Sequence, residues 1–241
     1  MEKPPVTYSV VIPVKNEEEN IASLIQEIDP VMKGLKQPWE IIVIDDGSTD
    51  NTLDVLKSLK PFYSNLRILV FAYNSGQSSA FDAGFKAANG EYVITLDGDG
   101  QNDPADIPLL IEATKEGFDL VVGKRAKRND PFSKRIISKF SNFVRSRVCK
   151  DGVSDTGCSL KVYKTKCLAN IKMYTGMHRF LPALFVIEGY SIKEIPVNHR
   201  ERTKGKSKYH FFNRSIKPLM DMFAVSWMRK RALKYKIKTE L

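Results

Sequence analysis

Two aspartates flank a glycine at the end of an apolar run in Leu96-Asp97-Gly98-Asp99-Gly100-Gln101. Carboxylates at i and i+2, with glycines that permit tight turns, suit a hard divalent cation bound through oxygen. Gln101 offers a further, neutral oxygen. For an isolated Asp-x-Asp a turn or helix cap is the plainer reading. Here further acidic clusters follow other apolar runs, and crowded carboxylates repel one another, so a cation is the economical explanation. Those clusters are Pro13-Val-Lys-Asn-Glu17 and Asp45-Asp46-Gly-Ser-Thr-Asp50. Ser48 and Asp50 are expected to cap the next helix. That leaves Asp45 or Asp46 to accept hydrogen bonds from a base or ribose. No G-x-G-x-x-G follows the first apolar run and no G-x-x-x-x-G-K-[ST] occurs, which argues against a dinucleotide-binding site and a P-loop.

These clusters need elements to bring them together. Tyr8–Val14, Glu40–Asp45, Arg67–Phe71, Tyr92–Leu96 and Phe118–Val122 read as strands. Helical periodicity separates them over Glu17–Met32, after Asp50, over Gln77–Ala88 and over Pro104–Glu116. Alternating strands and helices joined by short loops predict a mostly parallel α/β sheet with helices on both faces. Ligands of such sheets bind beyond the carboxyl ends of the strands, where all three clusters fall. Further on, Pro131–Val148 reads as an amphipathic helix. Ser159–Tyr163 reads as a short strand, Met177–Ile187 as a helix and Ser191–Val197 as a strand. A basic loop then spans Asn198–Lys208, and Phe211–Lys238 reads as a helical tail, apolar to Met228 and basic beyond it.

Charge is divided unevenly along the 241 residues. Residues 1–123 carry a net −11 and residues 124–241 a net +21. An acidic site in the first half and an anionic partner for the second follow from that split. Cys149, Cys158 and Cys167 match no zinc spacing and are too few for a disulfide framework, so they are expected as reduced thiols. His178, His199 and His210 have no ligand spacing and read as packing or surface residues. No signal peptide is evident, and no apolar run reaches the roughly 18–20 residues of a membrane span.

Several segments in order resemble one family: Val10-Val-Ile-Pro-Val-Lys-Asn-Glu17, Val43-Ile-Asp-Asp-Gly-Ser-Thr-Asp50, Asn74-Ser-Gly-Gln77, Ala83-Gly-Phe-Lys-Ala-Ala-Asn-Gly90 and Leu96-Asp-Gly-Asp-Gly-Gln-Asn-Asp-Pro104. The chain is similar to family-two glycosyltransferases with a GT-A fold, and more narrowly to the polyprenyl-phosphate glycosyltransferases. The resemblance runs from about residue 8 to residue 210. It implies a GT-A domain over 1–210, Rossmann-like, with 211–241 as an amphipathic basic tail.

The resemblance also implies roles. Pro13, Glu17 and Asp46 match positions that line the base and ribose. Asp97, Asp99 and Gln101 match the set that holds Mn²⁺ or Mg²⁺ on the donor diphosphate, with Gly98 where alanine is usual. Arg125, in Gly123-Lys-Arg125, falls near phosphate. Lys134 and Ser138 fall near the acceptor phosphate, Lys134 standing where arginine is common. Arg202, Ser207 and Lys208 belong to a loop that closes over the phosphates. Asp97, Asp99, Arg125 and Arg202 are then the residues expected to carry catalysis. Asp155, in Ser154-Asp-Thr-Gly-Cys-Ser159, either orients acceptor or sugar or serves as a cap or ion-pair partner.

The expected activity is metal-dependent, inverting transfer of a sugar from a UDP- or GDP-linked donor to a polyprenyl phosphate. The expected location is peripheral, on the cytoplasmic face of the membrane, with the tail on an anionic surface. A homo-oligomer or a membrane-protein partner is compatible with this. The alternative enzyme is a family-two transferase with a soluble or glycan acceptor in cell-envelope polysaccharide synthesis. A nucleic-acid-binding protein using the basic half is disfavoured, because no nucleic-acid motif occurs and the first half holds a full acidic site.

Overall fold

A computed structural model describes residues 5–126, 147–201 and 216–233, together with Tyr235 and Thr239. Seven strands form one sheet: β1 (Tyr8–Val14), β2 (Trp39–Asp45), β3 (Leu66–Val70), β4 (Tyr92–Thr95), β5 (Leu120–Arg125), β6 (Lys161–Lys164) and β7 (Ile192–Val197). Their spatial order is β3-β2-β1-β4-β6-β5-β7. β1 pairs in parallel with β2 and β4, β2 with β3, and β5 with β7. β6 departs from the parallel pattern and runs antiparallel to both β4 and β5.

The helices that lie wholly among the described residues are α1 (Ile21–Gly34), α2 (Thr52–Leu59), α3 (Gln77–Ala87), α4 (Ile107–Thr114), α5 (Thr165–Leu168), α6 (Leu181–Ile187) and α7 (Ile216–Arg231). Strand alternation sends side chains into two cores. Val10, Ile12 and Val14 of β1 pack with α1, α2 and α4 on one face, while Val11 packs with α3 on the other. Pro30 lies inside α1 and would cost about 3 kcal/mol in an isolated helix. Ile21, Leu24, Ile25, Ile28 and Met32 of α1 are buried, at about 1.5–3 kcal/mol each, so packing decides the helix.

The second core also receives α7. Met222 and Val225 of α7 are buried there beside α6 residues. Leu219, Met220, Phe223 and Trp227 of the same helix are exposed. No helix among the described residues is long and apolar enough to cross a membrane.

Some elements differ from expectation. The strand expected at Ser159 begins at Lys161, because the chain must first turn back to pair antiparallel with β4. The helix expected from Pro104 starts as a 3-10 turn, Pro104–Asp106, capped by Asp103, whose carboxylate accepts the Ala105 N–H. Ser48 does not cap α2; its hydroxyl accepts the Asn16 N–H at 2.9 Å and ties the β1 loop to the β2 loop. Asp50 does meet the helix start, accepting the Thr52 N–H at 3.0 Å. The tail helix ends at Arg231, short of the expected Lys238. The helix expected over Pro131–Val148 lies outside the described residues except at Arg147 and Val148, which are helical.

At the amino-terminal edge of the sheet a buried acid is fully engaged. Glu40 accepts from the Ser9 hydroxyl at 2.7 Å, Arg67 Nη1 at 2.6 Å and the Asn89 N–H at 2.8 Å. Burial pushes its pKa up, but the bonds from Ser9, Arg67 and Asn89 together outweigh that and leave it below 4.5. The unfolded chain therefore binds this proton more readily than the folded one. The stabilisation is whole above pH 4.5 and is lost as pH falls through the lower folded value. Glu40→Gln should lower stability by about 1–3 kcal/mol at neutral pH. It should also flatten the acid limb of the stability profile below pH 4.5. Urea unfolding of both proteins across that range checks this, and parallel acid limbs would exclude the role.

Candidate active site

The carboxyl ends of β2, β1 and β4 lie side by side, so their loops meet at one edge. Hydrogen bonds stitch these loops together. Asp45 accepts the Ser48 N–H at 2.9 Å, Asn16 accepts the Thr49 N–H at 2.8 Å, and the Glu17 N–H reaches the Thr52 hydroxyl at 2.8 Å. Gly47 has φ +66, and a Cβ there would lie 2.8 Å from the Asn74 nitrogen. Only glycine lets the β2 loop approach the residues after β3 so closely.

A cavity of about 520 Å³ opens at this edge, with Pro13, Glu17, Asp46, Gln77, Asp97 and Asp99 in its lining. Five of the residues expected from sequence are thereby brought together. A larger groove of about 760 Å³ lies between the end of β3, α3 and residues 173–175. Its acid, Asp82, is paired with Lys86, so it lacks the concentrated charge of the first cavity.

Asp46 is buried, and its carboxylate accepts the backbone N–H groups of Ser75 at 2.6 Å and Gly76 at 2.9 Å. It therefore holds the loop before α3 while lining the cavity. Asp97 receives Gln77 Nε2 at 2.9 Å, and its own N–H is held by Asn102 Oδ1 at 3.3 Å. Asp99 accepts the Gln101 N–H at 3.1 Å, while the Gln101 side-chain amide is turned toward the Arg200 carbonyl at 3.5 Å.

Arg125 is paired with Asp155. Its guanidinium grips Asp155 through Nε at 2.7 Å and Nη2 at 2.6 Å, with side chains 14% and 8% exposed. Gly157 allows this, because a Cβ there would lie 2.7 Å from Arg125 Nη2. Of the two readings of Asp155, the structure displays the ion pair. Lys134, Ser138, Arg202, Ser207 and Lys208 lie outside the described residues.

Lys161 is a buried cation on β6, opposite Thr95 of β4, and donates to the Cys158 carbonyl. Neither it nor Asn102 stood out in the sequence. A lysine between Leu160 and Val162 is the one trace that marks it. His178 is a packing residue: its Nδ1 lies 2.7 Å from the Ser78 hydroxyl, and burial first, then neighbouring cations, depress its pKa to about 3.

Charge is concentrated at this edge. Asp97 and Asp99 stand together there, with Lys161 and the Arg125–Asp155 pair nearby. Burial and then the Asp99 charge raise the Asp97 pKa to about 6, against the pull of Ser159, Lys161 and Arg125. Two adjacent carboxylates that repel each other, beside an open cavity, fit a hard divalent cation. Among the described residues no group of three or more His, Cys, Asp or Glu side chains forms a ligand set. Such a cation would have to take the rest of its shell from ligand oxygens or water.

Residues 9–171 match the Glycosyl transferase family 2 domain. The chain is 37% identical over 230 residues to the dodecaprenyl-phosphate galacturonate synthase of Rhizobium johnstonii, covering 93% of this chain and 68% of that one. It is 37% identical over 204 residues to the undecaprenyl-phosphate 4-deoxy-4-formamido-L-arabinose transferase of Salmonella choleraesuis, covering 84% of this chain and 62% of that one. The fold is that of glucosyl-3-phosphoglycerate synthase from Mycobacterium tuberculosis, solved with Mn²⁺, uridine diphosphate and phosphoglyceric acid. That match has a TM-score of 0.69 at 19% identity and covers 95% of this chain and 80% of the other.

Gly98, between the two aspartates, is fitted to Val14. A Cβ at Gly98 would stand 2.6 Å from Val14 Cγ1. Gly98→Ala should destabilise the protein by about 1–3 kcal/mol. In a Val14→Ala background the same change should cost less, with a coupling of at least about 0.5 kcal/mol. Denaturation of the four proteins checks this, and an equal cost in both backgrounds would refute it.

Proposed function

The chain belongs to glycosyl transferase family 2, and from that premise we propose that it moves a sugar from a nucleotide-linked donor to a polyprenyl phosphate. The carrying observation is the Asp97–Asp99 pair in the lining of the cavity formed by the β1, β2 and β4 loops. Both relatives named above are polyprenyl-phosphate enzymes, and the likeness to a fold solved with Mn²⁺ and uridine diphosphate supports a metal-bound nucleotide donor.

In this reading Pro13, Glu17 and Asp46 bind base and ribose. Asp97 and Asp99, with Gln101, hold Mn²⁺ or Mg²⁺. When bound, the cation neutralises the diphosphate that leaves. The acceptor phosphate oxygen forms the new bond to the anomeric carbon on the face opposite the departing nucleoside diphosphate, so the configuration inverts. That oxygen is already anionic near neutral pH, since a phosphomonoester has its second pKa at about 6. The protein's task is then to bring two anions together. Arg125, held by Asp155, keeps fixed positive charge near the acidic pair. Lys134, Ser138, Arg202, Ser207 and Lys208 are assigned to the acceptor and donor phosphates.

The exposed face of α7 favours a lipid over a soluble acceptor. Leu219, Met220, Phe223 and Trp227 face outward, and Arg229, Lys230 and Arg231 follow at the helix end. An apolar strip closed by a basic cluster fits a helix at an anionic membrane surface, each basic residue adding about 1 kcal/mol there. We place the enzyme on the cytoplasmic face, with residues 1–210 as the catalytic domain and the tail as its surface contact.

A panel of nucleotide sugars with Mn²⁺ and a short polyprenyl phosphate tests the activity. Transfer should appear with one donor, and Asp99→Asn should reduce it by about 100-fold or more. Undiminished transfer in excess EDTA would defeat the metal assignment. For the membrane contact, Phe223→Ser combined with Trp227→Ser should lower cosedimentation with anionic vesicles. The melting temperature should hardly change, because both side chains are exposed, at 66% and 63%. Removing the whole tail is a poorer test, since it would strip Met222 and Val225 from the core. Unchanged vesicle binding by the double variant would remove α7 as the contact.

A further inference from the structure

The start of α3 is fastened at two points across the top of the sheet. At one, the Asp46 carboxylate beyond β2 accepts the N–H groups of Ser75 and Gly76. At the other, Gln77 Nε2 donates to Asp97 Oδ1 at 2.9 Å, beyond β4. β1 lies between β2 and β4, so this first turn bridges the width of one strand. Gly76 makes the step between the fastenings with φ +87, in the left-handed region that suits glycine.

We infer that Gln77 is a positioning residue that sets the Asp97 carboxylate for a divalent cation. The inference rests on the reading of Asp97 and Asp99 as the cation's holders. The residue type carries the argument. The amide NH₂ of glutamine donates without bringing a charge. A lysine or arginine there would place a fixed positive charge against Asp97 and compete with the cation. A glutamate would add a third repelling carboxylate. Local helix energetics favour an acidic side chain in a first turn, and none is present in that of α3. The neutral donor at this position is thus accounted for by what it holds rather than by the helix it begins. Groups that hydrogen-bond a metal ligand typically change metal affinity by about 10–100-fold when removed.

Mn²⁺ alone, titrated into the full-length protein and followed by the electron paramagnetic resonance of the free ion, reads this directly. Gln77→Met keeps side-chain length and removes the donor, and it should weaken Mn²⁺ binding by about 10–100-fold without shifting the thermal melt. Ser79→Ala removes a hydroxyl from the same turn, one bonded to the Ser75 carbonyl at 2.9 Å, and should leave affinity at the parental value. Asp99→Asn is the reference for loss of the site. If Asp99→Asn loses Mn²⁺ while Gln77→Met binds within twofold of the parent, the Gln77 inference is overturned and the carboxylate reading stands. If Asp99→Asn itself binds as the parent does, the carboxylate reading falls and takes the Gln77 inference with it. An equal loss in Ser79→Ala, or a lowered melt in Gln77→Met, would assign the effect to the helix and overturn the inference.

Discussion

Asp97 is held beside Asp99 in surroundings where charge is costly, and most of the carboxyl edge of the sheet is arranged around that repulsion. Lys161 comes up from β6 below, the Arg125–Asp155 pair stands alongside, and Gln77 reaches over from α3. The other end of the sheet has the opposite character. There Glu40 is surrounded by Ser9, Arg67 and Asn89 and is held in its charged form. One end holds its acid in the charged form; at the other, burial and a neighbouring carboxylate work against the charge on Asp97.

α7 joins two requirements in one helix. Met222 and Val225 close the second core, while Phe223 and Trp227 turn away from it. The helix cannot be a loose appendage and still bury those side chains. A surface contact made through its outer face would therefore be rigidly referred to the sheet and to the cavity at its edge. The neighbouring 3-10 turn, Met177–Phe180, is pinned to α3 through His178 and Ser78. α3 is the element that carries Gln77.

Much of this was legible in the residues. The apolar runs of β1, β2 and β4 and the acidic groups that end them specified a parallel sheet and one crowded edge, and Asp97 and Asp99 meet there. What escaped the reading is non-local. β6 is only four residues long, and nothing in Lys161-Val-Tyr-Lys164 states which way it pairs. The antiparallel direction depends on where β4 and β5 lie. The burial of Lys161 follows only from that pairing. Ser48 illustrates the same limit at short range. Its position before α2 fits a cap, but the Asn16 N–H from another loop competes for its hydroxyl. Arg125 reads as a phosphate ligand from its motif, and only the folded loop carrying Asp155 and Gly157 reveals the partner it has.

The antiparallel insertion of β6 also fixes an order of assembly. β3, β2, β1 and β4 can pair once the chain has reached Thr95, using connections of ordinary length. β5 has no seat beside β4, because β6 lies between them and comes some forty residues later in the chain than the start of β5 (Leu120 and Lys161). During synthesis the acidic pair thus exists first on a half-sheet without Lys161 or Asp155 beside it. The counter-charges arrive only with the second half, through contacts distant in sequence, which are the slow ones to form. The acidic edge around Asp97 and Asp99 is thus surrounded by its full set of neighbours only once the second half of the sheet is in place.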